Sequence, residues 1–126
     1  MLLVDHRSDR LPVPNVLERL GAKVDLARSI GEAAAALSRG RHDVVLCRHP
    51  LQPLGPEASL TLARWIRRHR PDAGVLLLAR RPDYPTRSWL RRYGVGVVGA
   101  EPVHLEGRLA RALRSASPDL AGAQAR

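Results

Sequence analysis

Asp43-Val44-Val45-Leu46-Cys47-Arg48 is an apolar run of strand length that ends in a cation. A run without polar alternation fits a strand covered on both faces, as in a parallel sheet between helices. Arg48 then stands at the carboxyl end of that strand, the edge where open α/β sheets bind ligands. Further on, Val95-Gly96-Val97-Val98-Gly99 hands over to Ala100-Glu101-Pro102 and sets Glu101 at the same edge. A guanidinium facing a carboxylate is already neutralised, and such a pocket is a poor host for a metal and a phosphate.

The same punctuation repeats on either side. Apolar runs at Leu2–Asp5, Lys23–Ala27, Val44–Arg48, Val75–Ala79 and Val95–Val98 alternate with helical patterns, the order of a parallel α/β sheet. Pro12 and Pro14 predict an extended approach to a short helix at Asn15–Leu20, closed by Gly21. Ser29 and Glu32 have capping-box spacing for a helix through Ala33–Leu37, ended by Gly40. A Pro-rich loop after Arg48 leads into a helix at Glu57–His69, which Pro71 stops. Asp83 is the expected cap of a fourth helix running through Tyr93. The last helix, His104–Ser115, places Leu105, Leu109, Ala112, Leu113 and Ala116 on one face. Residues 1–116 therefore read as one domain, and 117–126 as a tail or the start of a linker.

Composition sets the bounds. With 126 residues, 44% hydrophobic and 26% charged, the chain can bury a core without disulfides. The single cysteine, Cys47, excludes an internal disulfide and fits a reducing, cytoplasmic compartment. No signal peptide is legible, because Met1-Leu2-Leu3-Val4 is cut short by Asp5, His6 and Arg7. No apolar run reaches membrane-spanning length, so no membrane partner is expected. Formal charge is +9, and all the basic residues but Lys23 are arginine. That excess points to an acidic partner: nucleic acid, nucleotide or protein.

Five β/α units in this order resemble the receiver domain of bacterial response regulators, over roughly Leu2 to Ser115. The local cues are Leu3-Val4-Asp5, His42-Asp43-Val44-Val45-Leu46, Pro50-Leu51, Arg70-Pro71-Asp72 and Glu101-Pro102. The resemblance implies a flavodoxin-like (βα)5 doubly wound sheet, a single domain with strand order 2-1-3-4-5. It also implies a phosphorylation pocket, and here that pocket is degenerate. Arg48 stands where the family has its phosphoacceptor aspartate. Asp5-His6 matches the acidic pair that holds Mg²⁺, Ala79 the Ser or Thr ending the fourth strand, and Glu101 the lysine after the fifth. Near Val98 the family's switch aromatic is missing. A guanidinium offers no nucleophilic oxygen, and one carboxylate cannot supply the oxygen ligands that Mg²⁺ needs. No cofactor, metal or enzymatic activity is expected.

Two readings of Arg48 stand side by side. It pairs with Glu101, exchanging the family's charges, or with Asp5, and so ties strands together in one fixed state. Alternatively it simply snorkels into water. The function expected is a phosphorylation-independent, receiver-like regulatory domain in signal transduction or transcription regulation. It would act through a protein partner or a homodimer, or control a DNA-binding output domain. The surface of the fourth helix, fifth strand and fifth helix would carry this role, with Arg87, Arg91, Arg92, Arg108, Arg111 and an exposed Trp89.

The other reading is an anionic ligand, either a cyclic dinucleotide or nucleic acid. It rests on the charge and on Trp-aliphatic-Arg-Arg elements at Trp65 and Trp89, while Arg80-Arg81-Pro82-Asp83 has the Arg-x-x-Asp form of cyclic di-GMP sites but by itself carries little. Solvated arginines opposite an apolar face account for those elements too. Arg80 with Arg87 and Arg91 would form a local anion site. His6, His42, His49, His69 and His104 share no metal-ligand spacing. A loop histidine such as His49 is expected to be solvated.

Overall fold

The computed structural model describes residues 1–5, 13–40, 42–51 and 55–116. His6, Pro12 and the expected tail lie outside that set. Five strands, β1 (Leu2–Val4), β2 (Asp25–Ala27), β3 (Val44–His49), β4 (Gly74–Ala79) and β5 (Val95–Gly99), alternate with five helices. These are α1 (Val13–Arg19), α2 (Ile30–Arg39), α3 (Pro56–His69), α4 (Arg87–Tyr93) and α5 (Leu105–Ala116). The sheet is parallel throughout, in the order β2-β1-β3-β4-β5. This is the flavodoxin-like arrangement expected from the sequence.

Two-residue alternation along the strands splits the core into two layers. Leu3, Leu46 and Leu78 pack with Leu17 of α1 and with Leu109 and Leu113 of α5. Leu2, Val45 and Leu77 face the other way, against Leu37 of α2 and Leu62 and Ile66 of α3. Each such Leu or Ile is essentially fully buried and contributes about 1.5–3 kcal/mol relative to an exposed side chain. The absence of Phe is no handicap, because aliphatic side chains fill both layers.

Three element boundaries differ from the sequence reading, each for a local reason. Pro14 lies inside α1 rather than in an extended approach, since a proline in the first turn gives up an N–H that would have no helical partner. Strand β2 starts at Asp25, not Lys23, because β1 offers only three residues to pair with. The cap of α4 is Thr86, not Asp83: its hydroxyl accepts from the Trp89 N–H at 3.3 Å. Tyr84 precedes Pro85, which pushes it into extended backbone. Arg81–Asp83 therefore close a separate 3-10 turn. The α2 start is as expected, Ser29 Oγ accepting from the Glu32 N–H at 3.1 Å. Gly94 ends α4 in the left-handed region at φ 62°, a conformation that glycine adopts without cost.

Candidate functional site at the carboxyl rim of the sheet

Strand register brings Asp5, Arg48 and Ala79 of the expected pocket to one edge. Val4 pairs with Cys47, so Asp5 and Arg48 emerge side by side from β1 and β3. Ala79 closes β4 opposite His49 on one side and Gly99 on the other. The Asp5 N–H bonds to the Ala27 carbonyl at 3.0 Å, which pins the backbone under the carboxylate. Arg48 Nη2 donates to Asp5 Oδ2 at 3.2 Å, and both side chains are only 13% exposed. That burial rules out the reading in which Arg48 snorkels into water.

Glu101 does not face Arg48. It is half-exposed beyond the end of β5, folded back over Gly99, with its carboxylate 3.9 Å from Arg108 Nη2. Arg108 also donates to the carbonyls of Val103 at 2.6 Å, Gly99 at 3.1 Å and Glu101. The Glu101 pairing is corrected for that reason. The guanidinium of α5 lies beside it and holds the whole turn, and among the described residues Asp5 is the carboxylate that meets Arg48.

His49 is a second correction. It is the last residue of β3, buried, and its ring bonds to Ser59 Oγ on α3. Ser59 in turn donates to the Pro56 carbonyl at 3.1 Å. Cys47, beside it, is fully buried, and burial together with the Asp5 charge holds its thiol far above the ordinary 9.0. The thiol stays protonated, a core group rather than a nucleophile. Among the described residues, no cluster of three His, Cys, Asp or Glu could hold a metal ion. No helix among them is long and apolar enough to cross a membrane.

Burial pushes the His49 imidazole below its ordinary 6.5, and Asp83 offsets this only in part. A base lowered in the folded state contributes stability that is complete above 6.5 and is lost as pH falls through its folded value, because the unfolded chain takes up the proton first. Asp25 is held below 3.8 by its hydrogen bond to His42 Nε2, 2.7 Å away. Its contribution is present above 3.8 and disappears at lower pH. Urea melts from about pH 7 to about pH 5 should therefore show stability falling by up to about 1.4 kcal/mol per pH unit, the value for one proton. His49→Asn should flatten that slope.

On the expected interaction surface, Arg80, Arg87, Arg91, Arg92 and Arg111 are exposed, but Arg108 is engaged as above. Trp89 is not exposed as expected. It is half-buried, packs against the core layer and tilts onto Tyr93 at 4.8 Å. A groove of about 390 Å³ runs between β5 and α5, floored by Leu76 and Gly96 and edged by Arg111 and Ser115. Arg70 lies at the opposite end of β4 from Arg80. Its guanidinium donates to the carbonyls of Leu37 at 2.8 Å and of Gly40 and His42 at 3.3 Å. No single small ligand spans the two arginines, since six residues of strand separate them by about 20 Å.

The sequence reading missed three arginines that bind backbone carbonyls: Arg67, Arg70 and Arg108. Their signal was position. Arg67 and Arg70 close α3, next to the ends of α4 and α2, and Arg108 opens α5 beside the turn it holds.

No family model matches the chain, and no curated relative matches its sequence significantly. Solved structures do match. A response regulator receiver domain protein from Clostridium thermocellum superposes with a TM-score of 0.75 at 22% identity, over 91% of this chain and 90% of its own. The chemotaxis response regulator CheY4 of Vibrio cholerae gives 0.70 at 20% identity, over 89% and 96%. This fold is that of the receiver domains. NtrX from Brucella abortus matches 99% of this chain at a TM-score of 0.75 and 22% identity, but the match takes up 29% of NtrX. In NtrX a receiver-like fold is one part of a longer protein.

Proposed function

We propose that the chain is a receiver-type regulatory domain that works without phosphorylation and signals through protein contacts. The ion pair between Arg48 and Asp5, buried at the carboxyl rim, carries this reading. A cation fills the place where a nucleophilic carboxylate would stand, and among the described residues it pairs with Asp5, the carboxylate that ends β1. Ala79 offers no hydroxyl, and Glu101 would repel a phosphoryl group rather than neutralise it. The pocket thus has one charge state, and regulation falls to partner binding or to the amount of protein. The face of α4, β5 and α5, with Arg87, Arg91, Arg92 and Arg111 exposed around the β5 groove, is the surface for a protein partner or a second copy. An output domain, DNA-binding among the options, fits the same face, and the working compartment is the cytoplasm.

Incubation with acetyl phosphate and Mg²⁺, followed by intact-mass analysis, is expected to leave the mass unchanged. An acyl phosphate on Asp5 would sink the proposal. Light scattering over a range of concentrations distinguishes a self-pairing module from one that needs a different partner.

A further inference from the structure

The excess positive charge is not spread evenly. Helices α3 and α4 carry six arginines against one carboxylate, Glu57. The other three helices carry five arginines against three carboxylates. On α3, Thr61, Arg64, Trp65 and Arg68 fall at i, i+3, i+4 and i+7, one stripe beside the buried face of Leu62 and Ile66. This stripe lines a groove of about 610 Å³ whose far side is Tyr93 at the end of α4. That volume lies within the usual range of ligand sites.

The arginines here divide by role. Arg67 is committed to structure, donating to the carbonyls of Tyr93 at 2.6 Å, Pro71 at 2.8 Å and Gly94 at 3.3 Å. Arg64 and Arg68 are exposed, and among the described residues neither has a hydrogen bond or ion pair. Between them Trp65 stacks on His69, with ring centroids 4.4 Å apart and planes 20° from parallel. His69 is exposed at the end of this stack, its Nδ1 3.0 Å from the Trp65 carbonyl.

We infer that this groove binds single-stranded nucleic acid, with Arg64 and Arg68 on successive phosphates and an unpaired base continuing the stack on His69. Planar rings beside cations select a ligand that carries both a flat π-face and negative charge. An acidic peptide has the charge without the plane. A duplex keeps its bases stacked inside, so it reaches only the arginines. A polymer, rather than a free nucleotide, also uses the exposed Arg87, Arg91 and Arg92 that continue the charge along α4.

Fluorescence anisotropy with a short labelled oligothymidylate tests this in the full chain. Binding should weaken with salt at a log–log slope of about −1.4 from the two groove phosphates alone. The double variant Arg64→Gln/Arg68→Gln should lose about that much slope and about tenfold or more in affinity. His69→Ala should weaken binding at least about fivefold while leaving most of the slope. Arg64 and Arg68 are exposed and without a partner among the described residues, so the double variant should melt with the wild type. His69→Ala, which loses the stack on Trp65 and the bond to its carbonyl, should melt within a few degrees of it. The inference is overturned by absence of binding at low salt or by variants that bind like the wild type. It is equally overturned if the matching duplex, thymidine monophosphate or oligoglutamate binds as tightly as the single strand.

Discussion

Arg48→Met is expected to lower stability by about 3 kcal/mol, within the range of about 3–5 for breaking a buried ion pair from one side. The Asp5 carboxylate, 13% exposed, would then lose its guanidinium partner in a site largely shielded from water. Most of the cost comes from that stranded charge rather than from lost attraction, and the two sources can be separated. Asp5→Asn in the Arg48→Met background removes the charge and should recover more than half of the loss. Urea midpoints of the four proteins in the cycle give the coupling energy directly. A thermal midpoint lowered by on the order of 10 °C in Arg48→Met accompanies the same change. If Arg48→Met matches the wild type, the pair is not what closes this pocket, and the single-state reading of the domain fails with it.

How far the chain can be read without coordinates depends on the range of the interaction. Strand β3 was legible because four consecutive apolar residues between Asp43 and Arg48 have few alternatives, and the α2 start because Ser29 and Glu32 act within one turn. The α4 start was misread. Asp83 and Thr86 are both competent caps, and the choice fell to Tyr84, which Pro85 holds extended. At the rim, sheet order predicted that Asp5, Arg48 and Ala79 would share an edge. It could not say which carboxylate Arg48 would meet. That was decided by Arg108, a residue far along the chain whose guanidinium draws Glu101 and its turn toward α5. Arginine clamps of this kind are invisible to periodicity, because a surface arginine in water and one tying off three carbonyls have the same sequence neighbours. His49 failed for a related reason: its partner Ser59 lies across a proline-rich loop, on a different element.

Arg67→Ala is expected to cost about 2–3 kcal/mol, whereas Arg64→Ala, one turn earlier on the same helix, should stay within about 0.5 kcal/mol of the wild type. The difference is not exposure of the helix but what the guanidinium touches. Helix α4 is seven residues long and has no fully buried side chain; it holds on through the half-buried Trp89, Leu90 and Tyr93. Its last carbonyls lack helical partners, as at any helix end, and carry the negative end of the macrodipole. Arg67 meets both needs from outside, with charge-assisted bonds to the Tyr93 and Gly94 carbonyls and a third to Pro71. Lysine cannot replace it, because a single ammonium lacks the planar fork that reaches carbonyls on two segments at once. Arg67→Lys should therefore recover less than half of the loss. Hydrogen exchange supplies the local readout: amides of residues 87–94 should lose protection in Arg67→Ala well before those of β3 and β4. Uniform loss across the domain would mean that the clamp holds the whole fold instead of one short helix.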